Sequence, residues 1–304
     1  MKRNKAAVAI GIDLGGTKIC GGAISTEGKI LAGKIFRLPT GVEKGKECIL
    51  SNLYAVISAC LEECKNKEIL GIGIGSPGPL DIEKGVLLNP PNLKPLHNFN
   101  LRSAVYKKFN LPVEINNDAN VFVLGEACYG AGKKYNLVYG VTLGTGFGSG
   151  FVMNKSIYSG ATGTAAEIWC FPYEDGIIED YVSARGITSL YRKRTKLTLP
   201  PEEIARLAFE GDNNAISVWE EFGHYLGVAL TYVVDVIDPE VIIIGGSISK
   251  SYKLFERSLK ETLYSKINPL PAKKLKIFPS RLKDEAGIIG AACLILKKNI
   301  NSSK

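Results

Sequence analysis

Histidine is nearly missing from this chain: its 304 residues include only two, His97 and His224, far apart in sequence. That scarcity argues against a histidine-rich metal site and leaves few candidates for a Ser-His-Asp triad. The seven cysteines, at 20, 48, 60, 64, 128, 170 and 293, are odd in number and form no Cys-x-x-Cys pair. Neither a disulfide framework nor a zinc knuckle is therefore expected. Cys60 and Cys64, one helical turn apart, read as small apolar packing residues. No apolar run reaches the ~18–20 residues that a membrane span needs. The basic start, Met1-Lys2-Arg3-Asn4-Lys5, leads into an apolar run that Asp13 interrupts at once, too short for a signal peptide. A cytoplasmic protein without membrane contact is expected. No stretch is rich enough in proline or serine to link two independent modules.

The chain does carry 45% hydrophobic residues over a length sufficient for two domains, each with its own core. Its formal net charge is +8, from 38 Lys and Arg against 30 Asp and Glu. The basic residues are mostly dispersed, with short clusters at Arg192-Lys193-Arg194-Thr195-Lys196 and Lys273-Lys274-Leu275-Lys276. Such clusters read as solvated faces. The modest positive potential suits an anionic substrate, and no nucleic-acid partner is expected.

Periodicity predicts strands over 7–13, 19–25 and 30–38, then a helix over 43–66 with Ile49, Leu53, Val56, Ile57, Cys60 and Leu61 on one face. A buried-type strand follows over 69–74, and a proline-punctuated loop from Ser76 to about Phe99 is a plausible binding segment. Helices are predicted over 101–109 and 119–129, on either side of a strand over 113–116. The pattern restarts at Leu137 with strand, glycine turn and strand. Helices over 201–210, 213–237, 252–266 and 286–298 are interleaved with strands over 241–244 and 275–279. Strands alternating with helices, after antiparallel openings, give an α/β fold with mixed sheets flanked by helices.

Gly140-Val-Thr-Leu-Gly-Thr-Gly-Phe-Gly148 repeats the pattern of Gly11-Ile-Asp-Leu-Gly-Gly-Thr17 about one domain later. Each places glycines at a turn after a β-rich run. Backbone N–H groups approach anions closely where there is no Cβ, so two such turns can grip a polyphosphate from opposite sides. Asp13 stands directly before Leu14-Gly15-Gly16-Thr17-Lys18. A carboxylate beside a phosphate cradle repels the ligand unless a divalent cation lies between them. Asp13 is thus a candidate for ordering Mg²⁺ through water, with Thr17 and Lys18 near the transferred phosphate. Asn116-Asn117-Asp118-Ala119-Asn120 follows an apolar strand and opens a helix. One residue there serves as N-cap; three amides around one carboxylate exceed that need and could hold a polyol while Asp118 takes a hydroxyl proton. Three other patterns are decoys. Gly73-Ile-Gly-Ser-Pro-Gly78 matches GxGxxG, but Pro77 and Pro79 spoil the helix start. The near P-loop at 28–34 ends in Ile35 instead of Ser or Thr, and Asn154-Lys-Ser156 is a sequon only in a secreted protein.

Taken together, Ile12-Asp-Leu-Gly-Gly-Thr-Lys18, Gly73-Ile-Gly-Ser-Pro-Gly78, Asn117-Asp-Ala-Asn120, Thr142-Leu-Gly-Thr-Gly-Phe-Gly148, Ala166-Glu167 and Asp238-Pro-Glu-Val-Ile-Ile-Ile-Gly-Gly246 resemble the ROK family (repressors, open reading frames and sugar kinases) over nearly the whole length. The resemblance implies a two-lobed actin-like ATPase (ribonuclease H-like) fold with an interlobe cleft. Its smaller N-terminal lobe would comprise 1–117 with 285–304, and its larger C-terminal lobe 118–284. It implies ATP with Mg²⁺, a small-molecule sugar partner and a homodimer. Asp118 matches the catalytic base. Gly78, Asn92 and Asn117 match sugar contacts, and Glu167 and Glu179 match two carboxylates that bind sugar hydroxyls. Gly15 and Gly16 belong to the first phosphate loop; Gly144, Thr145 and Gly146 match the second, and Gly245-Gly246 the turn near adenosine.

The resemblance breaks at one place. Family glucokinases read Glu-x-Gly-His followed by a cysteine-rich zinc site, where this chain reads Glu167-Ile-Trp-Cys170 and then Phe171-Pro-Tyr-Glu-Asp-Gly-Ile-Ile-Glu179. Structural zinc is not expected, and packing by Trp169, Phe171 and Tyr173 is expected to hold the loop. Cys170, a weak donor, puts glucose specificity in question. The family's repressor branch carries an N-terminal helix-turn-helix, for which the first strand at Ala7 leaves no room, so DNA binding is not expected. The expectation is a hexose kinase acting at O6. An N-acetylhexosamine or fructose kinase is the alternative, and a non-catalytic sugar sensor a further one.

Overall fold

The computed structural model describes residues 7–301; the basic start at Met1–Lys5 and the last residues of the closing segment lie outside the described residues. The chain opens with β1 (Ala7–Leu14) and β2 (Lys18–Ser25), an antiparallel hairpin closed by the first glycine turn. Where a third strand over 30–38 is expected, a single bridge from Ile30 to Ile24 precedes the shorter β3 (Phe36–Pro39), which pairs with β2. Ala32 and Gly33 both take positive φ there and break the strand into a 3₁₀ turn. Helix α1 (Lys46–Glu62) buries Ile49, Leu53, Val56, Ile57 and Cys60 on one face. It is followed by β4 (Glu68–Ser76).

The expected long loop after Ser76 instead holds a small antiparallel sheet of β5 (Leu80–Asp81), β6 (Val86–Leu87) and β7 (Phe99–Asn100). Two-residue strands are too short to leave a periodic signature. The Arg102 guanidinium ties the segment down by donating to the carbonyls of Ile82 (2.7 Å) and Glu83 (2.6 Å). Helix α2 (Leu101–Phe109) and β8 (Val113–Asn117) complete this half, whose sheet runs β3-β2-β1-β4-β8.

After α3 (Asp118–Tyr129) the design repeats. β9 (Leu137–Leu143), β10 (Phe147–Met153) and β11 (Ser156–Ile157) form the antiparallel part. A ribbon of β12 (Pro172–Tyr173) and β13 (Gly176–Ile177) leads to α4 (Ile178–Tyr181) and α5 (Ala184–Thr195). Then come α6 (Pro201–Phe209), α7 (Asn213–Ile237), β14 (Val241–Gly245), α8 (Tyr252–Lys266), α9 (Pro269–Lys274), β15 (Lys276–Pro279) and α10 (Ala286–Asn301). The second sheet, β11-β10-β9-β14-β15, has the same order of antiparallel and parallel neighbours as the first. The duplicated glycine turn is thus one part of a duplicated sheet.

Each sheet is covered on both faces, and the side-chain period of two sends alternate residues to different cores. In β14, Ile242 and Ile244 enter the core shared with α7 and α8, while Val241 and Ile243 enter a central core with α3 and α10. Residues of β1 and β2 (Ala9, Cys20 and Ile24) reach the same central core. Helices α3 and α10 therefore lie between the two sheets. They cross backbone to backbone: a Cβ on Gly290 would sit 1.7 Å from the carbonyl oxygen of Val121, and one on Gly125 2.5 Å from that of Ala286. Beside the crossing, Glu126 has no exposed surface. Its carboxylate accepts from Ser280 Oγ (2.6 Å) and from the N–H groups of Leu282 (2.8 Å) and Ala131 (2.7 Å). It thereby fastens the end of α3 to the approach to α10.

Candidate active site

Ligands of α/β sheets gather at the carboxyl ends of parallel strands, and there this chain assembles most of the residues singled out in its sequence. Asp13 at the end of β1 pairs with Gly75 of β4, and Gly75 and Ser76 pair with Asn116 and Asn117 of β8. The chain passes from β8 directly into α3, which makes Asn117 the N-cap. Its Oδ1 accepts from the N–H groups of Ala119 (2.9 Å) and Asn120 (3.3 Å). That duty fixes the amide, and its Nδ2 faces Gly78, 3.3 Å from where a Cβ there would lie. The cluster does not offer three free amides. Asn116 and Asn120 are buried, and Asn120 Nδ2 donates to Asn116 Oδ1 at 3.1 Å. Asn117 is the more open of the three, while Asn116 and Asn120 bind each other and Asn120 Oδ1 is buried without a partner among the described residues.

Asp118 occupies the first position of α3, and its Oδ1 accepts from the Ala119 N–H at 2.8 Å. Burial raises its carboxyl above the usual range, against the pull of that N–H. Burial likewise pushes Asp13 up to about 6; the charge of Asp118 adds to the rise and that of Lys18 opposes it. The two carboxylates therefore lie close enough for one charge to act on the other. Among the described residues no group of three or more His, Cys, Asp or Glu side chains could hold a metal ion. A cation there would be bound by carboxylate, water and ligand oxygens.

The first glycine turn closes with the Gly15 N–H on the Lys18 carbonyl (3.0 Å), and Thr40 Oγ1 donates to the Gly15 carbonyl at 2.6 Å. Thr17 and Lys18 are exposed at its tip. Gly16 backs onto Asn92: a Cβ there would lie 2.9 Å from the Asn92 Cβ and 3.0 Å from its carbonyl oxygen. The first glycine turn and the expected sugar-contacting Asn92 are thus in direct contact.

In the second turn the Gly144 N–H donates to the Gly146 carbonyl (3.0 Å), and the Ala184 N–H to the Gly144 carbonyl (2.9 Å). Thr145 stands between them. A Cβ on Gly146 would come within 2.7 Å of Glu179 Oε2, which accepts the Phe147 N–H at 2.9 Å. Glu179 is therefore held against the second loop. Gly245 abuts the ring of Phe122, and Gly246, at φ 82°, turns the chain under Leu143 into Ser247 and Ile248. Past this turn opens a cavity of about 540 Å³ whose wall includes Thr145, Arg206, Phe209, Ser247 and Lys250. Arg206 and Phe209 carry no motif; only their place on the amphipathic α6 could have drawn attention to them.

Glu167 follows Ala166, which adopts φ 69° and whose carbonyl accepts from Tyr139 Oη (2.7 Å) and Ser149 Oγ (2.8 Å). Burial raises the Glu167 carboxyl, the indole N–H of Trp169 lowers it, and the charge of Asp118 raises it again. The loop's three aromatics differ from the expectation of shared packing. Tyr173 meets Tyr181 and Tyr225 edge to face, at ring-centroid distances of 5.0 and 5.9 Å, and Phe171 meets Tyr232 at 6.3 Å. Trp169 is exposed, with no ring partner among the described residues; its Nε1 donates to Glu167 Oε2 at 3.1 Å. Cys170 is exposed.

Comparison with known proteins agrees with this architecture. The model of the ROK family matches residues 9–298. A glucokinase of Thermotoga maritima is 33% identical over 95% of this chain and 97% of its own length. A xylose repressor of Caldicellulosiruptor bescii is 31% identical over 94% of this chain and 77% of its own. The crystal structure of a ROK family glucokinase from Streptomyces griseus, in complex with glucose and AMPPNP, superposes with a TM-score of 0.81 at 26% identity. The alignment covers 95% of this chain and 99% of that one. The fold is the two-lobed actin-like ATPase fold. No helix among the described residues is long and apolar enough to cross a membrane.

Proposed function

The chain belongs to the ROK family, and from that premise we propose that it transfers the γ-phosphoryl group of ATP to a hexose hydroxyl, O6. One observation carries the reading. Asp118, its carboxyl raised by burial, stands at the strand ends beside Asp13 and Asn117. A base with a raised pKa is better matched to a proton of a neutral hydroxyl than an ordinary carboxylate is. Asp118 takes the O6 proton as O6 forms its bond to the γ-phosphorus, and the bond from that phosphorus to the β,γ-bridging oxygen breaks to release ADP.

Asn117, the backbone at Gly78, Asn92 and Glu167 would hold the sugar by exchanging its water hydrogen bonds for fixed ones. The two glycine turns would hold the phosphates, and the cavity past Gly246 would hold the nucleoside. Mg²⁺ fits the donor set at Asp13: hard carboxylate oxygens, with a like charge on Asp118 whose repulsion a cation relieves. Bound there through water, it supplies charge neutralisation at the phosphates. The similarity to a xylose repressor favours a second reading, a sugar-binding protein without turnover.

A coupled ADP-release assay with ATP and Mg²⁺ separates the two. It runs over glucose, mannose, fructose, N-acetylglucosamine and N-acetylmannosamine, with Asp118→Asn as the blank. Turnover on a hexose is expected, with Asp118→Asn reduced to a few per cent of kcat or less and sugar affinity largely intact. Sugar binding by calorimetry without ADP release from any sugar would replace the kinase reading with the sensor. Higher residual turnover in Asp118→Asn would remove Asp118 from the role of base.

A further inference from the structure

The loop that departs most from its family carries an aromatic residue that joins both expected sugar carboxylates. Trp169 donates its indole N–H to Glu167 Oε2 at 3.1 Å, while its backbone carbonyl accepts the Glu179 N–H at 3.1 Å. Trp169 is 39% exposed, and its indole N–H is tied to Glu167. We propose that Trp169 is a positioning residue for the sugar: its indole N–H, held on Oε2, orients the Glu167 carboxylate.

The physical reason lies in the two oxygens of a carboxylate. A glutamate on a loop has three rotatable bonds, and a sugar hydroxyl must stop them all if it binds a free side chain. With Oε2 already engaged by the indole, the Glu167 carboxylate is turned in advance and Oε1 is left for a hydroxyl. A donor hydrogen bond to an ionised oxygen also opposes the burial and the Asp118 charge, which together hold the Glu167 carboxyl above its usual range. Only an ionised carboxylate accepts at both oxygens. The hydroxyls of Tyr139 and Ser149 are committed to the Ala166 carbonyl, so neither competes with the indole for this role.

The inference rests on the sugar-binding reading of Glu167, so its test must fail separately from that reading. Wild type, Trp169→Phe, Glu167→Ala and the double variant are compared by steady-state kinetics with glucose and ATP and by calorimetric titration with glucose alone. Trp169→Phe keeps a ring and removes the N–H. It is expected to raise the glucose KM and Kd roughly five- to tenfold, the range for losing a hydrogen bond to a charged group at a partly exposed site, with kcat and the ATP KM within twofold of wild type. In the Glu167→Ala background the same change is expected to have no further effect. An unchanged glucose Kd in Trp169→Phe, or an equal loss in both backgrounds, would overturn the proposal. A wild type that binds glucose but releases no ADP would defeat the kinase reading while the titrations still decide on Trp169.

Discussion

The two glycine turns are built on the same hairpin and differ in what stands before and behind them. Before the first turn, β1 ends in Asp13-Leu14; at the matching place before the second, β9 ends in Thr142-Leu143. Behind the first, Gly16 leans on the Cβ and backbone of Asn92; behind the second, Gly146 leans on the movable end of Glu179. The first turn's Gly15 carbonyl is held by a side chain, Thr40 Oγ1, and the second's Gly144 carbonyl by a backbone N–H of Ala184. Duplication therefore preserved the hairpin turn, whereas a carboxylate directly before the turn stands only at the first. With the charge of Asp118 already raising Asp13, a further carboxylate at 142 would add to the repulsion.

The sharpest way to break this comparison is to make the first turn as neutral as the second. Asp13→Asn is expected to cut kcat roughly 10²–10³-fold, the scale of losing one preorganised electrostatic contact, whereas Thr142→Val should cost far less. The same substitution should stabilise the fold at neutral pH. Burial pushes the Asp13 carboxyl from its ordinary 3.8 up to about 6, so the folded state binds its proton more tightly. The resulting penalty is absent below about pH 4, grows as pH rises, and is complete above about pH 6. It amounts to at most ~3 kcal/mol. Thermal melts without Mg²⁺ should therefore show Asp13→Asn gaining on wild type as pH rises through that window; parallel melting curves would contradict the burial argument.

The second way is to add a methyl group to each turn. Gly16→Ala meets Cβ and backbone that cannot yield, and should lower kcat/KM roughly a hundredfold, the cost of about 1 Å of misplacement. Gly146→Ala meets a carboxylate that can swing away from the Phe147 N–H, so a loss of only about tenfold is expected. Equal losses would mean that the two supports are alike in stiffness. The mildest test is Thr40→Val, which removes the donor to Gly15 from a fully buried position. It should destabilise by ~1–3 kcal/mol in denaturant melts and raise the ATP KM a few-fold with the sugar KM unchanged. The second turn has no counterpart, since its holder is main chain.

What the sequence could reveal followed from pattern length and from the chemistry of short motifs. The repeated glycine turns, Asp13 and Asp118 stand out because each follows an apolar strand. The eight-residue β1 and the 25-residue α7 are periodic enough to find. The two-residue strands of β5–β7 are not, and α5 was hidden by its own charge, since Arg192-Lys193-Arg194 form its last turn. Glu126 was overlooked although it left a sign: it is a carboxylate in the otherwise apolar run Val121-Phe-Val-Leu-Gly-Glu126-Ala127. Its partners at Ser280 and Leu282 lie more than a hundred residues away, beyond any local pattern. Asn116 and Asn120 misled for the opposite reason, because their contact with each other is invisible in a list of polar residues.

The backbone crossing of α3 and α10 has a mechanical meaning. Two helices that touch through glycines have no side chains between them to shear, so they can rotate about the contact but cannot draw closer. Gly125 is then a fulcrum, and α3 from Gly125 back to Asp118 is a lever arm of ~10 Å at about 1.5 Å per residue. A turn of roughly 10° at the fulcrum carries the far end through about 2 Å. That travel would take the Asp118 carboxylate across the whole span from hydrogen-bond contact to no contact, so the smallest residues in the central core would set the reach of the proposed base.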